Sequence, residues 1–407
     1  MGLRYGKLGK GVFVDGHERK DVVDYRQNEF CPRWITFRSD FPPYDPVSKT
    51  LKIYPNPVVR PIILVTHDES TFNANDGTRY GWTSGGGQPL RPKGRGKGIM
   101  VSAFMTPVGL LRLPPDLTDE VLVSLHPDWP RLEDGSLVRE SVQYLEYEKD
   151  NYWDGDKMVK QAIAAAHLFK FIYPQCRALF AFDNAASHCA FSPDALVASK
   201  MNLRPGGKQP RMKDGWFGGV RQSMTFPDDY EDPALRSQPK GIQQVLEERG
   251  LWASTRVDGE RMPLKCNNNR GGCAKEGDLR HRCCATSLLA NQADFRAQKG
   301  RLQEEVELRG HEVIFYPKFH CEANFIERFW SSCKYYSREH CTYSFQGLKK
   351  VVPEAIASVS TDTIYRYFER CDRTIQAYAA GATYETKAYT DRSYTSHRQI
   401  RNYEGGW

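Results

Sequence analysis

No stretch of this 407-residue chain approaches the run of roughly 18 to 20 apolar residues that a membrane-spanning helix needs. The longest candidates, such as Pro61–Val65, have the length of a buried strand. The N-terminus, Met1-Gly2-Leu3-Arg4-Tyr5-Gly6, lacks the apolar core of a signal peptide and the Ser or Thr of a myristoylation site. These absences predict an intracellular protein with no membrane partner. No internal repeat is visible, and no helix pair with a tight turn marks a helix-turn-helix reader. No two cysteines are spaced C-x2-C, the usual pairing in structural zinc sites.

What is present argues for a folded, water-facing protein. Hydrophobic residues make up 40% and aromatics 12% of the chain, which excludes a disordered class. Mean hydropathy is −0.61. The net charge of +7 suits a polyanionic partner without requiring one. Eleven cysteines, an odd number without secretory context, read mostly as reduced thiols. Cys176, Cys189, Cys333 and Cys371 stand in apolar sequence, where Cys acts as a small hydrophobe.

Along the chain, residues 1–57 read as a lead-in with a short helix around Glu18–Arg26. Ile62-Ile63-Leu64-Val65 is a continuous apolar run, as in a strand covered on both faces, and breaks at His67-Asp68. Ile99–Phe104 and Gly109–Leu113 predict a hairpin; 114–155 carry no clear pattern. Met158–Ile172 is an amphipathic helix leading into a second buried strand, Ala178–Phe182, which ends at Asp183-Asn184. A third strand, Val313–Tyr316, precedes a helix over about Ala323–Glu339, and another helix is predicted over Thr361–Ala379. The order is that of a mixed α/β fold.

Three of these elements present a carboxylate. Asp68 and Asp183 follow buried strands, and ligand sites in open sheets gather beyond such strand ends. Two acids there repel unless a cation lies between them. Solvation or helix capping is the common fate of a single Asp at such a position. In the Glu327 helix, Ile326, Phe329, Trp330 and Cys333 form one apolar stripe, while Asn324, Glu327, Ser331 and Lys334 take the other side. That helix can pack on the sheet and turn Glu327 toward the two Asp residues, although a solvated polar face has the same periodicity.

Local wording separates the two readings. His67-Asp68-Glu69-Ser70 with Tyr80-Gly81-Trp82, then Phe182-Asp183-Asn184-Ala185-Ala186-Ser187-His188, then Tyr316-Pro317 and Asn324-Phe325-Ile326-Glu327-Arg328-Phe329-Trp330 occur in that order. Together they resemble the mariner-like branch of the DDE transposase and integrase superfamily, with Lys318-Phe319-His320-Cys321 similar to a group abundant in fungal genomes. The resemblance covers about 58–200 and 310–350. It implies an RNase H-like mixed sheet flanked by helices, with a large insertion before the last catalytic helix. It implies the following organisation: lead-in 1–57, first part of the core 58–200, basic and Cys-containing insertion 201–309, last strand and Glu-bearing helix 310–350, and C-terminal helix and tail 351–407.

On the matching positions, the resemblance makes Asp68, Asp183 and Glu327 the catalytic, metal-holding triad, with Asn184, His188 and Asn324 orienting them. Two Mg²⁺ or Mn²⁺ ions on hard oxygen ligands would serve DNA nicking and strand transfer. Transposon ends and target DNA are the implied partners, a second copy of the chain a further one, and a nucleus the place of action. Glu69 and Glu322 are set aside: the first faces the opposite side of its strand, and the second precedes the helix. Two departures stand out. Phe325 replaces the family's usual Pro, and 144 positions separate Asp183 from Glu327, a gap much longer than the family pattern.

Arg91, Lys93, Arg95 and Lys97 form a cationic Gly-rich loop suited to phosphates. Lys208 and Arg211 are a second DNA-binding candidate, with Trp216 and Phe217 near enough in sequence to stack on an unpaired base. Cys266, Cys273, His281 and Cys283 are open to zinc ligation or to simple thiol packing. Adjacent Cys283 and Cys284 are not expected to share one ion.

The leading reading is a metal-dependent DNA endonuclease and strand transferase. Its rival is a domesticated or decayed transposase that binds DNA or chromatin without cutting, a reading favoured by the lack of a recognisable N-terminal DNA-binding domain.

Overall fold

The computed structural model describes residues 16–54, 59–78, 90–146, 153–185, 187–255, 261–266, 283–384 and 386. The chain divides into two compact units, 1–188 with 302–407, and 189–301.

The larger unit begins with helices α1 (Lys20–Tyr25) and α2 (Cys31–Arg38), joined by a wider π turn at Arg26–Phe30. A short hairpin, β1 (Tyr44–Asp45) and β2 (Thr50–Leu51), follows. Then come β3 (Ile62–Asn73), β4 (Gly98–Thr106), β5 (Gly109–Leu110), α3 (Asp119–Leu125) and β6 (Gln143–Glu146). Helix α4 (Gly155–Ile172) is capped by Asp154, whose side chain accepts from the Lys157 N–H, and leads to β7 (Arg177–Phe182).

The six-stranded sheet has β3 inside it. Antiparallel β4 lies on one side of β3 and parallel β7 on the other, with β10 (Glu312–Phe315) parallel beyond β7. Both β5 and β6 pair with β4 at the far edge. A first strand flanked by one antiparallel and one parallel neighbour, with helices on both faces, is the RNase H-like arrangement.

Strand alternation assigns the two faces. Ile63, Val65, Phe104, Phe180 and Phe182 pack with Met158, Ala162 and Phe169 of α4. Ile62, Leu64, Val101, Leu179 and Ile314 pack on the other face, against Trp34 of α2 and three closing helices. These are α9 (Phe325–Glu339), α10 (Phe345–Ala357) and α11 (Thr361–Ala379). The expected stripe of α9 is buried, and Phe325 joins it.

The first strand is longer than its apolar run. Beyond Thr66 the pairing with its parallel neighbour ends, while β4 continues beside it to Asn73. One edge is then open, so polar residues are tolerated and the apolar signal fades within the strand. Asp68 therefore lies inside β3, not after it. Cys176, Cys333 and Cys371 are buried, but Cys189 is exposed in a turn.

In the smaller unit, β8 (Gly215–Phe217) and β9 (Val220–Gln222) form a ribbon. Its described helices include a 3-10 turn at Ala198–Lys200, α5 (Ile242–Glu248), α6 (Ala285–Ala290) and α7 (Ala293–Arg296), before α8 (Arg301–Leu308) returns to the larger unit. Its core is Met-rich, with Met201, Met212, Met224 and Met262 around Ile242, Leu246 and Leu289. Beside it, Arg249 and Asp294 form a buried bidentate ion pair at 3.0 and 2.6 Å. Among the described residues no helix is long and apolar enough to cross a membrane.

Candidate active site

The parallel pairing of β3 with β7 runs to Thr66 opposite Ala181. Carried two residues further, that register brings Asp68 level with Asp183, just past the end of β7. On β3, Asp68 shares a face with Leu64 and Thr66, the face that α9 covers. Glu327 enters from the first turn of α9. All three carboxylates line one cleft of about 380 Å³, with Asn184, Asn324, Tyr316 and the segment Pro317–Cys321.

Their electrostatics differ. Burial pushes the Asp68 carboxyl well above its ordinary range, and the charges of Glu327, Glu69 and Asp183 push it the same way. Glu327 is also raised, by desolvation and by Asp183, against the lowering pull of Lys334. Asp183 goes the other way. Burial opposes its charge, but His188 outweighs that by hydrogen bonding and charge, and the backbone N–H of Ala185 donates to Oδ1 at 3.1 Å. Asp68 and Glu327 are thus harder to ionise and Asp183 easier, and all three offer oxygen, the donor type a hard divalent cation takes.

Asn184, Asn324 and His188, expected from sequence to orient the acids, lie close to them. The Asn184 amide donates to the carbonyl of Tyr316 at 2.7 Å. Asn324 Oδ1 accepts from the Thr66 hydroxyl at 2.5 Å, and its amide donates to the His67 carbonyl at 3.3 Å. Asn324 thus clamps the start of α9 to β3 two residues before Asp68. His188 is buried against Asp183 and Glu69.

Glu69 points to the opposite face of β3 from Asp68. There it sits with His67 and His188, a trio whose ligand atoms lie within 4.8 Å of one another. The imidazole of His188, despite the burial that disfavours charge, is raised to about 10 by its bonds to Asp183 and Glu69. His188 thus lies between two carboxylates, Asp183 and Glu69, that favour its charged form. His67 is lowered to about 4 by desolvation and bonds the Ser102 hydroxyl at 2.8 Å. Glu322 is outside the cleft wall, held by the Tyr378 hydroxyl at 2.6 Å and by His17 at 3.3 Å.

One wall of the cleft is formed by Pro317–Cys321, a segment whose sequence pattern points to no role. Phe319 is half exposed there with a positive φ of 67°. Next to it, His320 is buried, receives a bond from Arg26 on Nε2 and donates from Nδ1 to the Lys318 carbonyl, both at 2.8 Å. Arg26 is itself buried, beside Glu18 and over the Tyr378 ring. The only sequence signal was the wording Lys318-Phe319-His320-Cys321; its partner Arg26 lies almost three hundred residues away.

Arg91, Lys93, Arg95 and Lys97 are exposed. Backbone bonds from Ala74 and Asn75 to Lys97 and Arg95 tie their loop to the end of β3, and Lys97 lies over Phe345. Asp76 pairs with Arg338, so this loop flanks the end of α9 remote from Glu327. Lys208 and Arg211 are exposed in the smaller unit, as are Trp216 and Phe217. Tyr80-Gly81-Trp82, Cys273 and His281 lie outside the described residues. Cys266 and Cys283 are brought together, and Cys284 joins them.

No family model and no curated protein matches this chain. Among solved structures it is similar to the Mos1 transposase paired-end complex with left transposon end, at 12% identity and TM-score 0.41, over 92% of this chain and 67% of that one. It is also similar to the Mos1 mariner paired-end complex with Mg, at 12% identity and TM-score 0.42, over 93% and 67% respectively.

Proposed function

We propose that this chain is the catalytic domain of a DDE-type transposase, which cuts DNA strands and joins the resulting ends to target DNA. The observation that carries the reading is the meeting of Asp68, Asp183 and Glu327 in one cleft, from three segments far apart in sequence. The charge that Glu327 and Asp183 place beside Asp68 would be offset by a cation among them.

In this reading Asp68, Asp183 and Glu327 hold two Mg²⁺ or Mn²⁺ ions. When bound, such ions lower the pKa of an attacking water or 3′ hydroxyl and offset charge on the leaving oxygen. The protein's own part is positioning. Asn324 and Asn184 fix backbone segments beside the acids, and His188 restrains Oδ1 of Asp183. Lys318, exposed on the cleft wall, offers a cation to the DNA backbone. Arg91, Lys93, Arg95 and Lys97, with Lys208 and Arg211 in the other unit, serve phosphates without reading sequence.

The test is nicking of supercoiled plasmid by the purified chain with Mg²⁺, Mn²⁺ or EDTA, beside Asp183→Asn and Glu327→Gln. Cutting that needs metal and disappears in both variants supports the reading. A wild-type chain that shifts DNA in a gel but never cuts it would replace the reading with that of a binding protein.

A further inference from the structure

The acidic cleft leaves one cluster of metal-binding side chains unused, and it lies in the other unit. The sulfurs of Cys266, Cys283 and Cys284 all fall within 4.8 Å of one another. Those of Cys283 and Cys284 are 4.0 Å apart. Zinc–sulfur bonds of about 2.3 Å in a tetrahedron require sulfurs about 3.8 Å apart, so small side-chain movements bring all three to bonding range. Adjacent cysteines can therefore face one point here, contrary to the expectation from sequence.

We propose that the smaller unit binds a structural zinc ion through the thiolates of Cys266, Cys283 and Cys284. The donor set is soft, unlike the oxygen set of the cleft, and selects zinc over Mg²⁺ or Mn²⁺. Cys283 and Cys284 are buried, at 3% and 5% exposure, which keeps competing water away. The Ser287 N–H already donates to Cys284 Sγ at 3.4 Å, the kind of bond that steadies a metal-bound thiolate. The Cys266 thiol reaches the Cys283 carbonyl at 3.7 Å, and the ion would take the place of that proton.

The position suits a structural ion. Pro263 and Leu264 accept backbone bonds from Ala285 and Thr286, so the segment ending at Cys266 is laced to the start of α6. Helices α6 and α7 have 6 and 4 residues, too short to hold themselves. The unit's buried apolar core is small, and small cores commonly need a metal or disulfide staple. The assignment rests on the three described thiols; the intervening sequence, with Cys273 and His281, is outside the described residues.

The experiment is metal analysis of the full chain purified without chelators, followed by replacement with Co²⁺. About one zinc per chain and thiolate-to-cobalt charge-transfer absorption are expected. Both should be lost in Cys266→Ser and Cys284→Ser and kept in Asp183→Asn, which separates this site from the cleft. Cys284 is the N-cap of α6 and Ser is a good N-cap, so zinc loss in Cys284→Ser reports the missing thiolate and not a broken cap. A chain that neither carries zinc nor gives the cobalt band overturns the proposal. So does full zinc in Cys284→Ser, or a disulfide between Cys266 and either neighbour found by mass spectrometry.

Discussion

His188 Nδ1 lies 2.6 Å from Oδ1 of Asp183, while its Nε2 lies 3.5 Å from Oε1 of Glu69. A buried imidazolium thus joins an acid at the mouth of the cleft to one on the opposite face of β3. It fixes the Asp183 carboxylate in place.

We predict that His188→Gln keeps the fold but raises the Mg²⁺ needed for half-maximal nicking by about 10- to 100-fold, the usual cost of losing a residue that orients a ligand. The sign of the pH effect follows from a folded pKa of about 10 above an unfolded one near 6.5. The pair's support is full below about pH 6.5 and is lost as pH rises through about 10. Metal titrations of plasmid nicking that coincide for variant and wild type would reduce His188 to a packing residue.

Asp68 gives a prediction of opposite sign. Its ionised form is disfavoured by burial and by three neighbouring acids. Asp68→Asn should therefore stabilise the metal-stripped protein, by on the order of 1 kcal/mol, or about 2–4 °C in melting temperature. Activity should vanish in the same variant. Adding Mg²⁺ should raise the melting temperature of wild type and leave Asp68→Asn nearly unmoved. A variant that melts below wild type in EDTA would show that Asp68 holds the structure together through contacts the repulsion argument ignores.

The sheet was legible in the sequence because buried strands announce themselves: Ile62–Val65 and Ala178–Phe182 are apolar without interruption, since both faces are covered. Asp68 and Asp183 were legible because each polar break comes where a neighbouring strand stops. The carboxylate cluster depended on Glu327, whose side of α9 could be read from the stripe of Ile326, Phe329 and Trp330. Other parts gave no signal of this kind. The core of the smaller unit is built from Met201, Met212, Met224 and Met262 on irregular segments, so no period exists to find. Arg26, buried and bonded to His320 across 294 positions, looks in sequence like any surface arginine. Of the thiol group, Cys266 and Cys283 stand out in sequence, while Cys284, adjacent to Cys283, does not.

Phe325 tests how the chain replaced the proline its motif resembles. It occupies the first position of α9, where proline's fixed φ and missing N–H are tolerated. It is also fully buried, edge-on to Phe368 at 5.8 Å between ring centres. Phe325→Pro should keep the helix start and the Asn324–Thr66 bond yet lose packing worth about 3 kcal/mol; Phe325→Ala should cost about 3–5 kcal/mol. Urea midpoints measure the loss. If Phe325→Pro proves as stable as wild type, the ring fills no space that matters.

His311 sets an acid limit away from the cleft. It is buried between the rings of Phe169 and Phe180, at 5.3 and 5.7 Å, and its Nδ1 accepts from the Ala178 N–H at 3.3 Å. Burial, helped by Arg60, lowers the imidazole to about 4. The unfolded chain takes up this proton near pH 6.5, so between about 6.5 and 4 it binds more protons than the folded one. Stability then falls with pH across that window, by at most about 3 kcal/mol from this group, and levels off below about 4. His311→Phe, which fits among aromatic neighbours and cannot titrate, should remove that share. Urea unfolding at pH 7, 5.5 and 4.5 should show the variant gaining on wild type at each step down. His67, also lowered to about 4, remains in both proteins, so its contribution cancels in the comparison. Parallel curves would mean that His311 is protonated in the fold after all, with water or a carbonyl beside it.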